Sequence, residues 1–280
     1  MSSSRAVIRR EAAARLGAIA QPDPLTAASG STTSAVVSAL IDSTESDQRY
    51  VGCWAYFLNG TNLGEVRRVQ SYVPASGTLV FNRALGASVA ASDTFELHDW
   101  LDPTVWNDCI SRALRRCTRE HRDQLTIVTS QTNYALSSLT ALIRPSQVIA
   151  LMERHGSTAN QYTWYEVPRY RWAVEIDDDA LTLNLLGGLS YNSADTSTTL
   201  WLDWIGPYAD LTTDAATTTC DLDWLVMGAI KFAYEVYGRE IDDAAGRTVQ
   251  VDKKEALDEF RRLTRMHSPK RASALFLRWD

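Results

Sequence analysis

"WAYFLNGTNLGEVRRVQSYVPASGTLVF", residues 54–81, alternates apolar and polar side chains in three segments. A period of two places alternate side chains on one face of a pleated strand, so each segment reads as a half-buried β-strand. Asn59-Gly60 interrupts the pattern once, and this dipeptide readily takes the positive φ that tight hairpins demand. Ala75-Ser76-Gly77 interrupts it again with turn residues. The stretch holds no catalytic motif, so it reads as two hairpins of a small β-domain.

Working outward, "AVVSALI" (35–41), "CWAYFL" (53–58), "GEVRRVQSYV" (64–73), "GTLVF" (77–81) and "DTFELHDW" (93–100) are strand candidates. Short strands at this spacing predict a small antiparallel barrel or sandwich over residues 23–100. Residues 4–17 ahead of it predict an amphipathic helix with Val7, Ile8, Ala12 and Leu16 on one face. Arg5, Arg9, Arg10 and Arg15 decorate the rest of that helix, and preceding serines offer N-caps. Residues 21–34, rich in Pro, Ser, Thr and Gly, read as a connector.

Beyond the β-domain, "DPTVWNDCISRALRRCTREHRDQ" (102–124) has helical spacing, with Asp102 as cap and Pro103 in the first turn. Trp106, Ile110, Ala113, Leu114 and Cys117 form its apolar stripe. A second β-rich stretch runs from Leu125 to about Leu211, with "DDDA" (177–180) as a hairpin tip. Helical spacing returns over 220–242, where Asp221 can cap and Gly238 can stop or bend the helix, and again over about 250–266. The expected class is α+β, in four segments: an N-terminal helix (1–22), the β-domain (23–100), a domain of helices and antiparallel strands (101–266) and a C-terminal arm (267–280).

The chain has 280 residues, 45% hydrophobic and 22% charged, enough for one large core or two modest ones. A formal net charge of −6 argues against broad nucleic-acid binding, which needs clustered cations, so any basic patch must be local. No run reaches the roughly 18 apolar residues of a membrane span, and the N-terminus lacks the apolar core of a signal peptide. Cys53, Cys109, Cys117 and Cys220 form no Cys-x-x-Cys pair, and a reduced chain with buried thiols is the simpler reading.

No cofactor, metal site or catalytic residue is expected. Asp177 to Asp179 lack the glycine and later carboxylate of a calcium loop. His98, His121, His155 and His267 show no ligand spacing, and there is neither a Gly-x-Ser-x-Gly elbow nor a GxxxxGK loop. Two basic features stand out. Arg112, Arg115, Arg116, Arg119 and Arg122 would form a stripe on the 102–124 helix, either solvated with pairs such as Arg116 and Glu120 or meeting an acidic neighbour or nucleic acid. Residues 261–280 join Arg261, Arg262, Arg265, Lys270, Arg271 and Arg278 to an apolar tip of Leu275, Phe276, Leu277 and Trp279; a tail of this kind is often disordered, and if ordered its tip must be buried, naturally by a neighbouring chain.

The string from Ser31 to Trp100 resembles a module recurrent in virion proteins of tailed bacteriophages. Its marks are a Thr/Ser start, "IDS" (41–43), an aromatic strand, "GTNLGEVRRV" (60–69), "GTL" (77–79) and "DTFEL" (93–97). "PTVWNDCISRALRRCTREH" followed by "TNYALSSL", and later "LDWLVMGAIKFAYEVYG", are similar to the helix, first strand and C-terminal helix of phage head-to-tail adaptor (neck) proteins. Such adaptors are often shorter and mainly helical, and the β content of 125–211 departs from them. The resemblance implies a non-enzymatic ring of about twelve copies beneath the portal, closed by heterologous interfaces around the DNA channel. Implied partners are the portal protein, neighbouring copies, tail or neck proteins below and, transiently, genomic DNA, with no membrane; the implied location is the virion neck. By the same analogy Lys270, Arg271, Leu275, Phe276, Leu277 and Trp279 would grip the portal or a neighbour, and Arg112, Arg115, Arg119 and Arg122 would face the channel or DNA. Another phage structural subunit (tail, baseplate or head decoration) is the alternative, ahead of a cell-wall hydrolase.

Overall fold

The computed structural model describes residues 2–139, 144–156, 163–177, 180–195, 197–243 and 253–267. In chain order the elements are β1 (Ser3–Ser4), α1 (Arg5–Arg15), β2 (Leu25–Thr26), β3 (Ser29–Gly30), β4 (Ser34–Val36), β5 (Trp54–Phe57), β6 (Val66–Val73), β7 (Thr78–Phe81), β8 (Thr94–His98) and α2 (Pro103–Arg116). There follow β9 (Thr118–Leu125), β10 (Asn133–Ala135), β11 (Val148–His155), β12 (Thr163–Glu166), β13 (Trp172–Asp177), β14 (Ala180–Leu185), β15 (Thr198–Pro207), β16 (Thr217–Thr218), α3 (Leu222–Asp243) and α4 (Lys253–His267). The class is α+β, every strand pair among the described residues is antiparallel, and no described helix is long and apolar enough to cross a membrane.

The chain divides into two units, one of residues 1–117 and 209–266 and one built on residues 118–208. This differs from the segments suggested by sequence. α1 packs on both α2 and α3, so the helices flanking residues 118–208 belong with the first 117 residues.

In the first unit, β2-β8-β5-β6-β7-β4-β3 make one seven-stranded sheet. Residues 25–30 supply both of its edges: the Ala27 N–H donates to Asp93 O and the Ala28 N–H to Val36 O, each at 2.8 Å. The sheet thus curls back on itself around one core, but no ladder closes it into the barrel that the strand spacing suggests. Phe57 anchors that core, with ring centres 5.2 Å from Phe95 and 5.9 Å from Phe81. Each such ring contributes on the order of 1.5–3 kcal/mol by leaving water. Gly77 turns β6 into β7 with φ +62°, and a Cβ there would strike the Val37 carbonyl. α1, α2 and α3 start on their expected caps: Ser4 accepts from Val7 N, Asp102 from Thr104 N and Asp221 from Trp224 N.

One helix boundary is corrected. α2 ends at Arg116, Cys117 is extended, and residues 118–125 form β9 where the arginine-rich sequence suggests about two more turns of helix to residue 124. Eight register pairs with β15, from Leu125↔Leu200 to Thr118↔Pro207, outweigh the local helical propensity. α3 bends at Tyr237, beside Gly238. Gly228 on α3 is where three helices approach: a Cβ there would lie 2.8 Å from Ala113 Cβ and 2.7 Å from Phe260 Cε2.

The second unit has a four-stranded sheet, β12-β11-β15-β9, and a three-stranded sheet, β10-β14-β13. Leu151, Leu200, Leu202 and Trp204 from the first share a core with Trp172, Leu181 and Leu183 from the second. The strict alternation of β15, buried at Leu200, Leu202 and Trp204, sends Thr199, Trp201 and Asp203 to the opposite face. Asp177 pairs with Ala180 across the β13–β14 hairpin, whose two tip residues lie outside the described ones.

Candidate functional site

The string 60–69 is used internally. Asn62 is wholly buried, donating to Ala87 O at 3.1 Å and accepting from Ala87 N at 3.0 Å. Glu65 accepts from Gly86 N at 3.1 Å and pairs with Arg67, whose Nε donates to Ala84 O at 2.9 Å. Gly60 has φ +73°, and a Cβ there would strike the Asp93 carboxylate, which itself accepts from Ala90 N. These residues stitch the β5–β6 turn to the loop 82–93, so the motif builds the fold and offers no reactive group.

The closing "DTFEL" makes the next connection. Glu96 is buried on β8 and its Oε2 accepts from Arg9 Nε at 2.6 Å, with His98 Nε2 at 2.9 Å. Arg9 lies over the Tyr56 ring and also donates to Asn107 Oδ1 and Asp214 Oδ1, both at 2.8 Å. Arg5 adds a 2.8 Å bond to the same Asp214. Burial alone would lower the Arg9 pKa, but its bonds to Asp214 and Glu96 outweigh this and raise it. Burial would likewise raise Glu96 and Asp214; the bond from His98 and the charge of Arg9 lower Glu96, and Arg9 lowers Asp214. One guanidinium therefore clamps α1, β8, α2 and the loop before β16. Arg9 was expected on the polar face of α1 and is instead wholly buried. The available signal was its place directly after Ile8 and four before Ala13, in register with the buried stripe. Val7, expected on that stripe, is 37% exposed.

The predicted stripe is not a single helix face, because α2 ends before Arg119 and Arg122. Arg112 and Arg115 are exposed on α2, with Arg115 bonded to Asp210 at 3.1 Å. Arg119 and Arg122 lie on β9 in the second unit, Arg119 over Tyr208 and Arg122 on Asp203. Lys270, Arg271, Leu275, Phe276, Leu277 and Trp279 lie outside the described residues. The four cysteines are buried and none is in a disulfide; burial pushes the Cys109 thiol up to about 12 and raises Cys117, which is hydrogen-bonded with Cys220. No metal-holding cluster occurs among the described residues.

Two surfaces gather groups suited to binding. The first is the outward face of the four-stranded sheet. Trp164 and Trp201 meet edge to face at 5.7 Å, Arg122 lies 4.5 Å from the Trp164 ring and Arg154 lies 5.4 Å from Trp201. Arg122 grips Asp203 with two 2.6 Å bonds, and Thr199 accepts from both Arg154 and Trp201. By contrast the inward Trp204 stacks on His121 and donates to Asp123 at 2.7 Å. Tryptophan and arginine held rigid on a partly exposed face are the residue types that dominate interface energetics. The sorting of these tryptophans into inner and outer faces required the β15 register.

The second surface is an open groove of about 610 Å³ in the first unit, where α2, α3 and α4 converge. Phe260 and Leu257 form its apolar floor, and among the described residues Arg116, Lys231, Arg261 and Arg265 line it against one carboxylate, Glu235. Lys231 bonds Glu235 at 2.8 Å and Arg261 reaches Asp258 at 3.7 Å. Among the described residues Arg116 and Arg265 have no ion-pair partner.

Comparison of the chain with protein-family models, curated proteins and solved structures finds no match.

Proposed function

We propose that this chain is a structural subunit of a tailed-phage virion, a head-to-tail adaptor that forms a ring beneath the portal around the DNA channel. The observation that carries the reading is the use made of the phage-like string. Asn62, Glu65, Arg67, Asp93 and Glu96, its most distinctive polar members, are all spent on holding the β-domain together and fastening α1 to it. A string of that kind marks a shared fold, and what such a fold does is decided by the surfaces it presents. Here those are a tryptophan–arginine sheet face and a basic groove. The reading assigns the sheet face to the portal protein, since rigid Trp164 and Trp201 between Arg122 and Arg154 supply the large, preorganised contact area of an interface centre.

The test is assembly. Purified chain mixed with the portal protein of the same phage should give rings of about twelve copies in negative-stain images, as closed cyclic symmetry with a portal requires. A chain that stays monomeric beside the portal contradicts the reading, and labelling that puts it on the tail or baseplate of intact particles favours the other structural roles.

A further inference from the structure

A ring needs two different, complementary patches on each copy, because head-to-tail contacts are heterologous. The basic groove is one patch. Its cations surround an apolar floor, so an occupant should bring carboxylates and exposed aliphatic side chains together.

The β-domain carries such a patch. Residues 41–51 leave the curled sheet as a turn-rich loop with Asp42, Glu45 and Asp47 against one cation, Arg49. Asp42 is fixed by accepting from Thr44 N at 2.9 Å and Thr44 Oγ1 at 2.6 Å, which lowers its pKa and keeps it anionic. Its own N–H donates to Pro74 O at 3.1 Å, which sets the acidic loop beside Val73. Ile41 and Val73, 52% and 46% exposed, lie at its base. Nothing in the β-domain's own core uses these two side chains.

From this pairing of charge and apolar surface we infer that the α2–α3–α4 groove of one copy receives the 41–47 loop of the next copy, making the ring's side-to-side contact. The inference rests on the ring reading above. Asp42 and Asp47 meet Arg261 and Arg265 at the groove's rim, and Ile41 covers the Phe260–Leu257 floor. The contact is steered by charge, so it weakens as salt rises.

The experiment uses two double variants of the full chain, Arg261→Glu with Arg265→Glu, and Asp42→Lys with Asp47→Lys. All four residues are exposed, so each variant should fold, which melting curves check. Analytical ultracentrifugation should show self-association of the unaltered chain weakened at least tenfold in each variant alone. Mixed in equal amounts, the two should associate again, because the acidified groove of one matches the basic loop of the other and the unaltered groove and loop also match. Variants that associate normally, or a mixture that stays apart, overturn the contact while leaving portal binding to be scored separately. A groove variant that assembles normally but loses DNA retention reassigns the groove to nucleic acid and also overturns it. If the unaltered chain does not self-associate, the contact is overturned, and the portal-mixing result decides the ring reading on its own.

Discussion

The curled β-domain and the two-sheet unit use the same residue types in opposite ways. In the β-domain region arginine and carboxylate are turned inward: Arg9, Glu96 and Asn62 are each at most 1% exposed and tie elements together. In the two-sheet unit arginine and tryptophan are turned outward, with Arg122, Arg154, Trp164 and Trp201 arrayed on one sheet face. The difference teaches where each region's polar chemistry is spent, the first on holding the fold and the second on meeting a partner. Substitutions should therefore separate stability from assembly.

The largest stability effect is expected at Glu96→Gln. Removing this charge leaves Arg9 buried with only Asp214 to balance it, and breaking a buried pair typically costs about 3–5 kcal/mol. Urea denaturation that shows a loss below about 1 kcal/mol would mean that the clamp is dispensable. Asn62→Ala comes next, with about 1–3 kcal/mol expected from stranding Ala87's backbone groups, read by the same titration.

Acid should act through the same cluster. Glu96 and Asp214 have lowered pKa values in the folded state, so their contribution is present above the ordinary carboxylate pKa of about 4 and is lost as pH falls through the folded values. Denaturation midpoints compared at neutral and acid pH should fall toward acid, and less steeply in Glu96→Gln. An equal slope in both would remove Glu96 from the account.

Much of this organisation was legible beforehand. The alternation in residues 54–81 locates β5, β6 and β7 to within two residues, and the caps Ser4, Asp102 and Asp221 are where their side chains suggested. What was not legible depended on long-range pairing. "TREHRDQL" looks like helix until Leu200–Pro207 lie beside it, and Arg9 looks solvated until Glu96 and Asp214 arrive from distant positions. The groove likewise needs three separate helices brought together at Gly228.

The smallest stability effect belongs to the outward face, and it is the most direct test of the comparison. Trp164→Ala with Trp201→Ala removes one partly exposed edge-to-face pair, worth about 0.5–1.5 kcal/mol beyond its area. Melting and portal-ring formation should be measured together on this variant: the account predicts a subunit that melts within a few degrees of the unaltered chain yet forms no ring on the portal. Rings that form normally, or a subunit that no longer folds, would contradict it.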